Sequence, residues 1–294
     1  MAAVGWGALA TLFLGGEAVQ AQAGALRFAF TGGTEFRTRE IVSQETITVV
    51  MDEEVRSTVS QELTVLRSVD AVAEDGTASV SQTLEALTAH AESPLGIEDY
   101  DSRDPNSQPG VLTSGLAPLV GLALTYRVSP RGIVSDVGGV DASLFPDAPG
   151  GSAEQLANSF MATLQQSVPQ LPEDGLTPGE AWSIEFRMPV PEIGDMITMV
   201  RYVYRGESES SGTQALTFDF TVDVTVEVSA GAHTQAVTRV NRGEGTVTMV
   251  GGLPVAGESA LDLEMEIEMS EGAEVQRLEQ RLIQTQRTER LDAP

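Results

Sequence analysis

The chain of 294 residues carries 41% hydrophobic and 20% charged side chains, enough for one large domain or two modest ones and too apolar for disorder throughout. Its 43 acidic and 17 basic residues give a formal net charge of −26, a field that repels phosphate backbones and anionic head groups and so excludes nucleic acid as a natural partner. Every basic residue is arginine and there is no cysteine, which removes Schiff-base lysines, Ser/Lys dyads, the P-loop lysine, disulfides and a lipidated thiol.

Val4 to Leu14 is uncharged and leads past Glu17 to Ala21, Gln22 and Ala23, the small-x-small pattern of a signal-peptidase site. Residues 1–23 read as a signal peptide cleaved after Ala23, or after Ala21 as second choice, although the usual basic n-region is missing. The competing reading is a buried strand or helix at a domain edge. Export implies a periplasmic or extracellular product. No apolar run reaches 18 residues, so the mature chain is expected to have no membrane-spanning helix.

Beyond the leader the dominant signal is a period of two. Leu26, Phe28 and Phe30 open it. Val55, Val59, Leu63, Val65 and Val69 follow, then Leu122, Leu124, Tyr126 and Val128. Glu74 to Thr77, Ser129 to Gly132 and the Gly243, Glu244, Gly245 cluster carry turn chemistry. Residues 93–118 are rich in Pro, Gly, Ser and Asp and read as a loop. Ser152 with Gln155 forms a capping box, and Leu156, Phe160, Leu164 and Val168 fall four apart before Pro169, predicting an amphipathic helix over 153–168. Pro169, Pro172, Pro178 and Gly179 mark a linker at 169–180.

In the second half Trp182, Ile184, Phe186 and Met188 alternate. From Leu216 through Phe218, Phe220, Val222, Val224, Val226 and Val228 the apolar residues interleave with Thr217, Asp219, Thr221, Asp223, Thr225 and Glu227. Leu261 to Met269 repeats the pattern against Asp262, Glu264, Glu266 and Glu268. One dry and one wet face per strand predict antiparallel sheet. At the C-terminus a helix over 274–291 would lose its apolar stripe at Gln286 and Glu289. A hairpin turning at Glu271 and Gly272 would instead set Glu266 opposite Arg277 and Asp262 opposite Arg281, and that is the expectation. The fold class predicted is a mainly β domain spanning 24–294. Its large curved antiparallel sheet, half-barrel-like, packs on the one amphipathic helix, either as a whole or as two similar lobes at 24–150 and 175–294 joined by 153–168. Gly33 to Phe36 and Gly179 to Trp182 open the two halves alike, a match that chance supplies as readily as duplication.

The opening Leu26 to Phe36, Leu124 to Val137 ("LTYRVSPRGIVSDV") and Pro178 to Ile184 ("PGEAWSI") resemble the DUF6263 family of exported bacterial proteins. Family members often carry a lipobox cysteine, which this chain lacks. The resemblance implies an envelope protein without assigned activity, and at fold level a curved sheet around a helix, as in lipoprotein carriers of the LolA/LppX type.

For chemistry, only His90 and His233 offer imidazole, and each falls in a strand-like segment where a surface or core histidine is the ordinary case. No nucleophile elbow, zincin helix or dinucleotide fingerprint occurs. Asp99, Asp101 and Asp104, with Glu98, form the best metal candidate, since calcium takes carboxylate oxygens from a flexible backbone. The sixth position from Asp99 is Asp104, not the glycine of an EF-hand, and a solvated acidic loop is the plainer reading. Asp52, Glu53 and Glu54 read as a charged hairpin tip and not as a glycosidase pair. No other cofactor and no catalytic constellation is implied. Two functions lead: a non-catalytic binder of an apolar small molecule or lipid lined by Phe160, Met161, Trp182, Phe218 and Phe220, and a structural or protein-interaction module with a fully packed core. An enzyme comes third.

Overall fold

The computed structural model describes residues 26–291 except 51–52, 111–112, 114–115, 145–152, 166–167, 191–193, 211–212, 229–233, 251–252 and 272–273. The proposed leader, Asp52, Ser152 and His233 therefore lie outside the described residues. Twelve strands dominate: β1 Glu35–Val50, β2 Glu53–Val72, β3 Ala78–Ser93, β4 Gly96–Asp101, β5 Ala123–Val128, β6 Val134–Gly138, β7 Ala181–Val190, β8 Gly194–Ser210, β9 Thr213–Val228, β10 Thr234–Val250, β11 Leu253–Glu271 and β12 Glu274–Arg290. Among the described residues one α-helix, α1, occupies Ala153–Gln165. No helix among the described residues is long and apolar enough to cross a membrane.

The strands form one open antiparallel sheet in the order β6-β5-β3-β2-β1-β12-β11-β10-β9-β8-β7, with β4 on β3 alongside β5's end. The two candidate lobes are thus consecutive halves of a single sheet, joined where β1 pairs with β12 from Thr38↔Arg290 to Val50↔Leu278. Flat, such a sheet would hold its edges roughly 50 Å apart at about 4.8 Å per strand. Yet adjacent residues of the 168–173 connection touch both. Leu171 N donates to Arg131 O in the β5–β6 turn at 2.8 Å, and Gln170 O accepts from Trp182 Nε1 in β7 at 2.8 Å. The sheet is therefore strongly curled, its edges tied at one end by the proline-rich segment.

Alternation decides which face is inside. Phe36 and Val42 of β1, Leu63, Val65 and Val69 of β2, Phe218, Phe220, Val222 and Val224 of β9, and Leu263, Met265 and Ile267 of β11 are buried. The intervening Thr221, Asp223, Thr225 and Glu227 are exposed. This hydrated, acidic outer face is the reverse of the apolar band that a membrane-spanning barrel turns to lipid. Phe28 and Leu171 enter the core from the flanking segments, with Phe28 N donating to Pro130 O at 2.7 Å.

Four readings are corrected. The helix ends at Gln165 rather than 168: Val168 precedes Pro169, whose ring disfavours helical backbone at the residue before it. Ala157 and Leu164 are buried among Leu84, Leu87, Leu124 and Val140, Phe160 is only partly buried, and the Leu156 side chain lies outside those described. The 93–118 segment is not all loop, since it contains β4. Gly243 and Gly245 are not a turn but mid-strand in β10, where a Cβ on Gly245 would meet Phe220 Cζ at 2.4 Å and one on Gly243 would meet Val222 Cβ at 2.7 Å. These glycines make room for the large inward side chains of β9. The β11–β12 hairpin exists, but closes at Glu271↔Glu274, so Glu266 faces Glu279 and Arg281 faces Glu264. Arg281 nevertheless reaches diagonally to Asp262 at 2.9 and 2.8 Å, and Arg277 pairs with Glu266.

Candidate functional site

Three places could carry function: the apolar interior, a buried polar cluster within it, and a recess on the outer face. In the interior Trp182, Phe218 and Phe220 come together. Trp182 stacks on Tyr202 at 5.2 Å and meets Phe218 edge-on at 5.8 Å, while Phe220 lies 6.2 Å from Tyr202. Burial pushes the Tyr202 hydroxyl well above its ordinary pKa. Phe160 and Met161 are not with them; they pack on the second apolar cluster, near Leu87 and Leu124. Beside Phe220 a recess of about 20 Å³, partly open to solvent, is lined by Thr246, Ser259, Gln286 and Thr288 among others, room for a single water.

The polar cluster escaped the sequence reading. Glu40 (0% exposed) and Arg67 (2%) form an ion pair at 2.8 Å on the inner face of β1 and β2. Arg67 also donates to Thr38 Oγ1 at 2.8 Å and to Gln82 Oε1 at 3.0 Å, and Thr38 Oγ1 donates to Glu40 Oε1 at 3.2 Å. Glu40 Oε2 and, on neighbouring β12, Gln286 Oε1 are buried without a hydrogen-bond partner. Burial raises the Glu40 pKa above its usual 4.5, opposed by Arg67. The signal was present, since Glu40 falls on the inward period of Phe36, Thr38 and Val42, and Arg67 on that of Leu63, Val65 and Val69. Its geometry is that of an internal brace in which Arg67 is held by Glu40, Thr38 and Gln82 while Glu40 Oε2 is left without a partner.

The outer recess is an open depression of about 690 Å³ between the β2–β3 face and the 101–107 loop, lined by Ser60, Glu62, Thr88, His90, Asp99, Asp101, Arg103 and Asp104 among others. All three predicted metal ligands line it, but each is engaged separately. Asp99 Oδ1 lies 2.7 Å from His90 Nδ1, with Glu92 Oε1 3.3 Å from Nε2. Asp101 Oδ1 accepts from Arg103 N at 2.9 Å and Nε at 3.2 Å, and Asp104 Oδ1 accepts from Asn106 N at 2.9 Å. The Asp99 and Glu92 carboxylates raise the His90 pKa, and the Arg103 amide and guanidinium hold Asp101 below its ordinary value. Among the described residues no group of three or more His, Asp or Glu is placed to hold a metal ion.

No family model matches the chain, and no curated protein does. Solved structures similar over most of their length include DynF from the dynemicin pathway of Micromonospora chersina, at 7% identity over 94% of this chain and 96% of that one, with a TM-score of 0.19. Two others are from Pseudomonas aeruginosa: OpdQ, at 8% identity over 88% and 99% with a TM-score of 0.23, and the outer membrane protein OprG, at 8% over 90% and 99% with 0.20. TM-scores this low establish no shared fold.

Proposed function

We propose that the chain is an exported, non-catalytic protein-interaction module whose interior is scaffold and whose outer surface binds. One observation carries this over the apolar-carrier reading: the side chains a carrier would present to its cargo, Trp182, Phe218 and Phe220, are packed on Tyr202 and on one another. Export rests on the Val4 to Ala23 segment and the resemblance to exported proteins; secreted material is expected to begin at Gly24, which intact mass reads. The acidic outer face suits an aqueous compartment.

The test is organic extraction of purified mature protein followed by mass spectrometry, with titration of a fluorescent apolar probe. Lipid-free protein and no saturable probe uptake are the expected results. Stoichiometric lipid in the extract would restore the carrier reading and overturn this one.

A further inference from the structure

We propose that the free edge of β4 takes an extended, cationic segment of a partner polypeptide as an added strand, its basic side chains reaching the carboxylates of the outer recess. This deepens the interaction-module reading and rests on it.

The backbone comes first. One side of β3 is covered by β5 over Ala78–Thr83 and by β4 over Thr88–Ser93, and β5 is itself covered by β6. Among the described residues β4 pairs only with β3. An added strand would thus lie in line with β6 and extend a layer the sheet already has. Ser93 pairs with Gly96 around Pro94 and Leu95, and in such a hairpin ladder bonds alternate, so Gly96, Glu98 and Tyr100 bond inward to β3 while Ile97, Asp99 and Asp101 turn N–H and C=O to the open side. That phase is visible at Asp101, whose N–H donates to Ser107 Oγ at 3.0 Å and whose C=O accepts from Asp104 N at 3.0 Å. The loop thereby closes the edge at Asp101 and returns at Gly110 against the Glu98 side chain, and among the described residues nothing bonds the outward N–H and C=O of Ile97 and Asp99, which are the docking positions.

Side chains choose the occupant. Natural edges are guarded by charge, which would account for the acids of β4 alone. Guarding does not account for Leu95 and Ile97, 85% and 68% exposed at the tip of the same hairpin. Charge on the recess is unbalanced: Glu62, Asp99, Asp101 and Asp104 face Arg103, already spent on Asp101 and Thr88, and His90, already held by Asp99 and Glu92. A second copy of this chain, with net charge −26, would bring the same acids to the same edge and be repelled. The fitting partner alternates apolar and Arg or Lys residues, as in other strand additions where backbone bonds supply affinity and alternate side chains supply choice.

The probe is a capped Arg-Val-Arg-Val-Arg-Val-Arg peptide titrated into the full mature protein by calorimetry, with amide shifts followed by NMR. Binding with the largest shifts at Ile97 and Asp99 is expected. N-methylation at alternate peptide nitrogens should weaken it about tenfold or more by removing the ladder bonds. Glu62→Gln with Asp104→Asn should weaken it severalfold and flatten its dependence between ~50 and ~300 mM salt. Ile97→Pro should abolish it, with far-UV circular dichroism checking that the fold is kept, and the Glu-for-Arg peptide should not bind. Absence of binding, or binding indifferent to N-methylation, which would mean adsorption to an acidic surface, overturns the proposal. Either outcome with lipid-free protein sinks the β4 edge alone, whereas recovered lipid sinks the broader reading.

Discussion

Arg67 and Glu40 form an ion pair shut off from water, and such a pair is braced more by its geometry than by its charge. Desolvation of both ions offsets most of their attraction, whereas removing one leaves the other buried and uncompensated. Arg67→Met should therefore cost about 3–5 kcal/mol in denaturant melts, while Glu40→Leu combined with Arg67→Met should recover most of it or exceed wild type by roughly 1–4 kcal/mol. A double variant as unstable as the single would show that Thr38 and Gln82, not the pair, hold the site. The pH dependence has a definite sign. Because the folded-state pKa of Glu40 lies above 4.5, its contribution to stability is fully present below that value and is lost as pH rises through the folded-state pKa. Wild type should then lose stability relative to Glu40→Gln as pH climbs from 4.5, read by urea melts at stepped pH. A gap that widens in wild type's favour would reverse the assignment.

At the scale of elements, clean alternation made β9 and β11 legible, because a period of two assigns faces whatever the neighbouring strand is. The β11–β12 hairpin was legible for the same reason, and its two-residue slip did no harm to the faces, since only an odd shift exchanges inside and outside. Long arginines hid the slip: Arg281 reaches Asp262 diagonally as well as it would directly. Two elements were misread where one residue type carries two meanings. Glycine marks turns, but Gly243 and Gly245 serve instead as clearance for Val222 and Phe220 across the ladder. Polar, proline-flanked composition suggested loop around β4, whose pairing depends on β3 and not on its own pattern. The recess was half legible: Asp99, Asp101 and Asp104 were singled out, but bringing His90 and Glu62 beside them needed the pairing of β2, β3 and β4. The glycine account is testable. Gly245→Ala should cost about 1–3 kcal/mol by overpacking against Phe220, and Phe220→Leu should reduce that penalty when combined with it. Additive losses would mean that the Glu258 carbonyl oxygen, 2.6 Å from such a Cβ, and not the Phe220 ring keeps Gly245.

At the scale of the molecule, the open question for a curled sheet is what keeps it curled, since among the described residues no ladder joins β6 to β7. Chain order could not show this, because the tie lies in the segment that composition marks as a linker. Leu171 is wholly buried, with its N–H on Arg131 O at 2.8 Å and its C=O accepting from Arg131 Nε at 3.1 Å. Arg131 also pairs with Glu173 at 2.9 Å, and Arg27 donates to Pro172 O at 3.1 Å and Glu173 O at 2.9 Å. The segment thus acts as a clasp between the β5–β6 turn and Trp182 at the head of β7. Leu171→Ala should cost about 2–5 kcal/mol, as any buried leucine would. Its particular signature is where the loss falls. Amide exchange should quicken first in β7 and residues 129–133, while the central β1–β12 ladder exchanges only with global unfolding. Leu164→Ala is the matched control, removing the same atoms from the other apolar cluster, and should leave the order of exchange in β7 unchanged. With the clasp loosened, the core-packed side chains Ile184, Phe186 and Met188 of the edge strand β7 would be exposed, so faster aggregation of the Leu171 variant than of the control at equal stability is expected by light scattering. Uniform acceleration of exchange in both variants would show that Leu171 contributes volume to the core and nothing to the closure of the sheet.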